Sequence, residues 1–478
     1  MTSKTTRRSV FFTLAIAIGL GLGPKALVAT EDVEALKRQN AELQQRLESV
    51  ERDLAAIKKM LAPAAGPTAV ASATPPAAPS ARPATASGFT EAETAKLKSL
   101  AGLKGQPARS GLDLNFYGYV KLDAAFDDSR TSLGNFARWM ESESVLMNDH
   151  HFNLTANQTR LGVDATGPTT ASFQATGKIE IDFYGAGVAE NKPEPMLRHA
   201  FVRMDWPLRK LALIAGQTSD IISPLNPTTV NYSVAWWQGN VGYRRPQLRL
   251  VKSIDIDEGV DLKLDGGISR TITGRKAVFA TANDPDTGAD GGYPTFAGRA
   301  GLSFPIAPKQ VATIGVSGHL GSEEIHRTNL GGSDTFETWS INADLRLPLS
   351  PTLLLQAEAF QGRNFDSHLG GIGQGVNLTL NREIDTVGGW ASVTLTPSAL
   401  WQFNLGAGLD NPDDDDLSGN GDSTKDARTK NTLVFGNVHY SLNAQVQLAF
   451  ELSWLETTYK VNAPGTDWRQ QFGITYKF

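Results

Sequence analysis

From Leu112 onward one pattern recurs along the chain: apolar and polar side chains alternate strictly, over stretches of ten residues or more. In LDLNFYGYVKLDAAFD, Leu112, Leu114, Phe116, Val120, Leu122, Ala124 and Phe126 share one phase. Asp113, Asn115, Tyr117, Tyr119, Lys121 and Asp123 share the other. A period of two describes a β-strand with two unlike faces. ASFQATGKIEIDFY, SINADLRLPL, AQVQLAFELSW and the closing WRQQFGITYKF follow the same grammar. Strands of a soluble sandwich average about five or six residues. Ten or more is the length that crosses a bilayer at a tilt, so the pattern predicts an all-β transmembrane barrel.

The connections set its size and orientation. The alternation marks about sixteen antiparallel strands between residues 111 and 478. Every second connection is tight: TGPTT, PLRK, SIDIDEG, PIAPKQ, PLSPT, TPSA and SLNA, most with the Pro, Asn or Asp that turns favour. The intervening ones are mostly long, as at 128–151, 218–242, 273–294, 364–382 and 410–430. Short turns on one side and long loops on the other are the arrangement of outer-membrane barrels, with both chain ends on the periplasmic, short-turn side. Apolar-phase aromatics sort to the strand ends. Trp206, Phe304, Trp401 and Phe478 fall beside the turns, and Phe126, Phe183, Trp339, Trp454 and Trp468 fall at the opposite ends. Two aromatic girdles at the membrane interfaces are expected to look like this.

The first 110 residues read differently. Residues 1–29 carry Lys4, Arg7 and Arg8 ahead of VFFTLAIAIGLGLG, an apolar run too short to span a bilayer, which predicts an export signal peptide. Residues 30–61 repeat every seven, with Val33, Leu36, Leu43, Leu47, Val50, Leu54, Ile57 and Leu61 at a and d positions and Asn40 at another a position. That spacing predicts a self-associating α-helical coiled coil in the periplasm, its register pinned by the asparagine. Residues 62–110 are a Pro/Ala-rich linker with one candidate short helix, and 111–478 are the barrel.

Composition excludes other classes. The formal net charge of -5 is too small and too mixed for nucleic-acid binding. The chain has no cysteine. None of its histidines has metal-ligand spacing, the acidic run Asp413–Asp416 lacks the closing Glu of a calcium loop, and no nucleophile elbow, phosphate loop or dinucleotide fingerprint occurs. No metal, no cofactor and no enzymatic activity are expected. The acidic run reads as an extracellular, solvated loop able to bind divalent ions shared with lipopolysaccharide, and outer-membrane lipid and lipopolysaccharide are the expected surroundings of the barrel.

The chemistry therefore lies in the lumen. Inward phases carry Lys121, Lys178, Arg245, Arg249, Arg299 and Arg346, with Arg160 and Arg203 as further candidates. Strict alternation places Arg198 toward lipid and leaves it unassigned. Guanidinium groups hold carboxylates bidentately and stay charged at any relevant pH, and rings of Arg and Lys are how pores favour anions. The same residues could instead pair with Asp113, Asp123, Glu180, Asp182, Asp344 or Glu358 and stiffen the wall.

Several segments resemble the DcaP-like family of trimeric outer-membrane porins. They are NFYGYVKLDAAFD, TRLGVDA, LRHAFVRMD, GQTSD leading into a long third loop, and RRPQLRL after it. FGITYKF, with Phe472, Tyr476 and Phe478, resembles the aromatic-ending signal read by the barrel-assembly machinery. The resemblance implies a homotrimer and passive diffusion of small organic anions, including dicarboxylates. It also implies a third loop folded inward as a constriction, here with Asp220, Asn226, Trp236 and Trp237. Where the family pattern has an aromatic after GQT, this chain has Ser219 and Asp220. Two other functions fit the same sequence: a sugar-selective porin, with Tyr117, Tyr119 and Tyr184 as part of an aromatic track, and a barrel whose stalk tethers the envelope.

Overall fold

The structure is a computed structural model of the chain and describes residues 112–131, 137–146, 149–185, 193–270, 291–327, 332–419 and 426–478. The expected signal peptide (1–29), coiled coil (30–61) and linker (62–110) lie outside the described residues.

Antiparallel strands at sixteen positions close into a barrel. They are β1 (Asp113–Asp127), β2 (His151–Thr155 continued by Arg160–Thr166), β3 (Gln174–Asp182), β4 (Met196–Trp206), β5 (Leu211–Ser219) and β6 (Arg244–Asp257). Then come β7 (Val260–Ser269), β8 (Thr295–Ala307), β9 (Gln310–Arg327), β10 (Gly332–Pro348) and β11 (Leu353–Arg363). The last are β12 (Asp385–Leu395), β13 (Trp401–Pro412), β14 (Arg428–Ser441), β15 (Val446–Tyr459) and β16 (Gly465–Lys477). A two-stranded hairpin, Val376–Asn377 with Arg382–Glu383, decorates the sixth loop (364–384).

Each strand pairs with its sequence neighbours, and β1 closes on β16 in register from Tyr119↔Lys477 to Phe126↔Gln470. Closure leaves no edge of unpaired backbone for lipid to meet. Strand β2 is one position interrupted at residues 156–159, both halves pairing with β1. There the Thr159 hydroxyl accepts the Lys121 backbone N–H at 3.2 Å, replacing a ladder bond.

Burial inverts the order of a soluble protein. On β1 the apolar Val120, Leu122 and Phe126 are exposed, whereas Lys121, Asp123 and Asp127 are buried. On β16 Trp468, Phe472 and Ile474 face out, and Arg469 and Gln471 are buried. Such a surface suits hydrocarbon outside and a polar lumen inside. No described helix is long and apolar enough to cross a membrane. A lipid-facing cation is costly only at depth. Val316→Lys, at an outward mid-strand position between Ala300 and Ala343, should destabilise the barrel by roughly 2–4 kcal/mol in refolding into lipid vesicles. Val311→Lys, outward but next to the turn after β8, should cost about 1 kcal/mol or less.

Candidate functional site

The third loop (220–243), between β5 and β6, does not stand out into solvent. Most of its residues are buried, and its backbone is tied to inward side chains of strands far from it in sequence. The Glu451 carboxylate on β15 accepts Val230 N–H at 2.7 Å and Asn231 N–H at 3.3 Å. Glu358 on β11 accepts Leu225 N–H at 2.8 Å. The Val230 carbonyl accepts from Lys121 Nζ at 3.1 Å and from Gln471 Nε2 at 3.2 Å. Asn437 Nδ2 on β14 donates to Thr228 O at 2.8 Å. Loop backbone that leaves water needs such partners, since an unpaired buried N–H costs about 1–3 kcal/mol.

The loop also lies flush on the wall. A Cβ at Gly239 would fall 2.0 Å from Gly389 O of β12, and one at Gly408 of β13 would fall 2.1 Å from Gln238 O. Only glycine permits that approach, and Gly239 sits at φ +104°. Val234 and Trp237 hold φ of +43° and +65°, a left-handed backbone disfavoured for such side chains. Dense packing maintains it: Ala235 packs with Ala137 and Met140 of the first loop (128–150) and with Leu433, Phe435 and Leu455 of the wall.

Between this loop and β1–β5 a cavity of about 320 Å³ remains. Its basic lining is Arg160, Arg198, His199 and Arg244, and its aromatic lining is Tyr119, Tyr232, Trp236 and Tyr243. Arg198 and His199 both reach it because the register of β3 and β4 shifts between Glu180 and Ile181. Glu180 pairs with His199 and Ile181 with Leu197, so Arg198 is the extra residue of a β-bulge and turns inward. Its guanidinium holds Glu180 at 2.8 Å and Asp182 at 2.7 Å, and Tyr232 O–H also donates to Asp182 at 3.0 Å. Asp220, the acid that the loop contributes, is taken by Arg245 through Nε at 2.6 Å and Nη2 at 3.1 Å.

Arg244 differs from all of these. It is 6% exposed, lies 4.4 Å from the Tyr243 ring centroid and 5.6 Å from that of Trp236, and has no acid partner among the described residues. Its Nε and Nη2 meet no protein acceptor. Arg160 Nε likewise makes no hydrogen bond, standing 3.5 Å from Glu180. The cavity therefore holds more guanidinium charge than its acids compensate, with buried donor atoms of Arg244 and Arg160 left without acceptors in its wall.

The eight basic residues expected in the lumen have mixed surroundings. Lys121 contacts Asp123 at 3.0 Å, Lys178 contacts Asp164 at 2.9 Å, and Arg203 contacts Asp205 at 2.7 Å. Arg249 contacts Asp265 at 2.6 Å and Arg299 contacts Asp344 at 2.6 Å. With Arg160 on Glu180 and Arg245 on Asp220, seven of the eight have an acid beside them. Arg346 is exposed and has none among the described residues. The cavity gathers Arg160, with Asp220, Asn226 and Trp236, and not the others. Asn226 accepts from Asn240 Nδ2 at 3.0 Å, Trp236 is buried against Tyr184 and Tyr232, and Trp237 is partly exposed. Tyr184 stacks on Tyr232 at 3.9 Å and is buried, and Tyr117 is bonded to Glu180 and Lys178. At the C-terminus Phe472 and Tyr476 are exposed on the outer face, and Phe478 exchanges backbone hydrogen bonds with Gly118 at 3.1 and 3.2 Å.

Sequence reasoning missed Arg244, Arg198, Glu358 as a loop anchor, and Glu451. The tandem Arg244–Arg245 at a loop boundary was the available signal, because phase does not carry through a junction. On the sixth loop, burial and then the neighbouring Arg245 hold His368 well below the ordinary histidine range. It stays neutral there and donates no charge to the loop junction, where its carbonyl accepts Gly242 N–H at 2.7 Å.

Residues 104–277 match the DcaP outer membrane protein family. Among solved structures, the outer membrane channel DcaP of Acinetobacter baumannii aligns with a TM-score of 0.59 at 18% identity, covering 77% of this chain and 98% of its own. That identity speaks for the fold. An anion-selective porin from Comamonas acidovorans aligns at TM-score 0.48 and 12% identity, over 77% of this chain and 100% of that one. OprB of Pseudomonas putida aligns at 0.49 and 9%, over 80% and 97%. No curated protein matches in sequence. The fold is that of an outer-membrane barrel, and residues 104–277 carry the likeness to the DcaP outer membrane protein family.

Proposed function

We propose that this chain, a DcaP-like outer-membrane porin, is an anion-preferring diffusion channel for small carboxylates, constricted where its third loop narrows the lumen beside Arg244. The observation that carries the reading is the uncompensated guanidinium charge of Arg244, with Arg160 beside the same cavity. A carboxylate passing there gains charge-assisted hydrogen bonds from donors already oriented and already desolvated, while a cation meets a positive potential. Arg198 and Arg245 contribute differently: each neutralises buried acids that would otherwise attract cations. The other lumen pairs, such as Arg249–Asp265 and Arg299–Asp344, stiffen the wall and add little net field.

The test is the reversal potential of the purified protein in a planar bilayer under a potassium chloride gradient. An anion preference that deepens when dicarboxylate replaces chloride is expected; a cation preference would overturn the proposal. The assembled form inferred is a homotrimer, with residues 30–61 as a periplasmic coiled coil, in contact with lipid and lipopolysaccharide. Phe478 is inferred to be read by the barrel-assembly machinery. Deleting it also removes two backbone hydrogen bonds at the β1–β16 seam. In cells the deletion should cut the amount of inserted barrel severalfold, whereas channels that do insert should conduct normally. Normal insertion, measured by surface labelling, would remove the signal role.

A further inference from the structure

A second group of guanidinium and indole side chains lies outside the Arg244 cavity, built by the first loop, the third loop and β14. Arg138 stands 4.2 Å from the ring centroid of Trp139 and 5.2 Å from that of Trp237. Arg428, at the start of β14, stands 4.2 Å from the same Trp139 ring. The two indoles meet edge to face at 6.1 Å, and all four side chains are partly exposed. Trp237 then meets Trp236 edge to face at 6.3 Å, and Trp236 is the ring beside Arg244.

Stacking on an indole engages the face of a guanidinium and leaves its in-plane N–H groups for acceptors. Arg428 Nε donates to Ile372 O at 3.1 Å, and its terminal nitrogens meet no protein acceptor among the described residues. A brace between the first loop and β14 would need one guanidinium on Trp139. A second like charge on that ring weakens a brace, and its cost is visible in Arg138, pushed down to about 10 by burial and then by Arg428. Glu141, the acid that interacts with both guanidiniums, is itself partly buried, and burial raises its carboxyl above the usual range.

We propose that Arg138, Arg428, Trp139 and Trp237 form an outer binding station for small carboxylates, from which the tandem tryptophans lead to the Arg244 cavity. The proposal rests on the anion-channel reading and adds a site to it. Two weak stations in series bind well enough to admit an anion and loosely enough to release it. The station lies on the loop side, so it acts on entry from outside.

The test is succinate-induced current blockage in oriented bilayers, with succinate added to the loop side or the turn side of the full-length protein. In the double variant Arg138→Gln with Arg428→Gln, the loop-side association rate should fall about fivefold or more, since steering by paired charges acts on encounter. The turn-side rate should stay within about twofold of the parent, as expected when a distant mouth keeps its field. Trp139→Leu should mimic the double variant by releasing the guanidiniums, and Trp139→Phe should retain most of the loop-side rate. Equal loop-side rates in parent and double variant would overturn the station while leaving the anion channel standing. No blockage from either side in the parent would overturn the channel reading and the station with it. Heat-modifiable migration in gels, matched to that of the parent, certifies that the barrel of each variant is folded.

Discussion

Replacing Arg244 by Gln should reduce the anion-to-cation permeability ratio by about fivefold or more, read as a shift of the reversal potential toward the cation side. The expectation follows from the charge balance of one cavity. At an effective dielectric of about 20, a unit charge roughly 5 Å from a permeating ion contributes about 3 kcal/mol before screening. Mobile ions in the lumen reduce this to about 1 kcal/mol, which is about fivefold. Arg245→Gln is the instructive contrast. Its guanidinium is spent on Asp220, so removing it releases a buried carboxylate as well as deleting a cation. Arg245→Gln should lower selectivity further than Arg244→Gln and also destabilise the loop base, because an acid stripped of its buried partner is costly. Equal reversal potentials in parent and Arg244→Gln would mean that the open donors of Arg244 do not face the ion path.

Glu451→Ala, above all with Glu358→Ala, should loosen the third loop and give bursts of higher single-channel conductance. Glu451 satisfies two backbone N–H groups of that loop and Glu358 satisfies one. Leaving two buried donors unpaired removes roughly 2 kcal/mol from docking, enough to shift the docked-to-undocked ratio about thirtyfold. Glu451→Gln keeps one acceptor oxygen and should behave between parent and Ala. Asn437 Nδ2 also donates to Glu451, at 2.9 Å, so part of the cost falls on the wall itself. Steady conductance in the double variant would show that the glycine contacts at Gly389 and Gly408 hold the loop without these carboxylates.

The strand pattern and both faces of the wall were legible in the residues, and for a physical reason. Side-chain direction in a strand reverses at every residue, so Val120, Lys121 and Leu122 declare their faces locally. That reading failed where the backbone departs from the repeat. Arg198 is an extra residue opposite a register shift, and one bulge turned it from lipid to lumen. Arg244 sits where a loop enters a strand, and there no phase is inherited from either side. The loop anchors were illegible for another reason: Glu451 meets Val230 across more than two hundred residues, and no local rule couples them.

The chain's own alternation and turn spacing determine a barrel of about sixteen strands and its two faces, because each is a short-range consequence of peptide geometry and water–lipid partition. What a pore selects depends on which charges remain unpaired. Arg245 ends on Asp220, Arg469 on Asp127 at 2.7 Å, and Arg244 on no acid among the described residues, although all three are arginines in a polar lumen. Coulomb energy depends on distance in space, and only closing the barrel and folding the third loop into it bring such residues within reach.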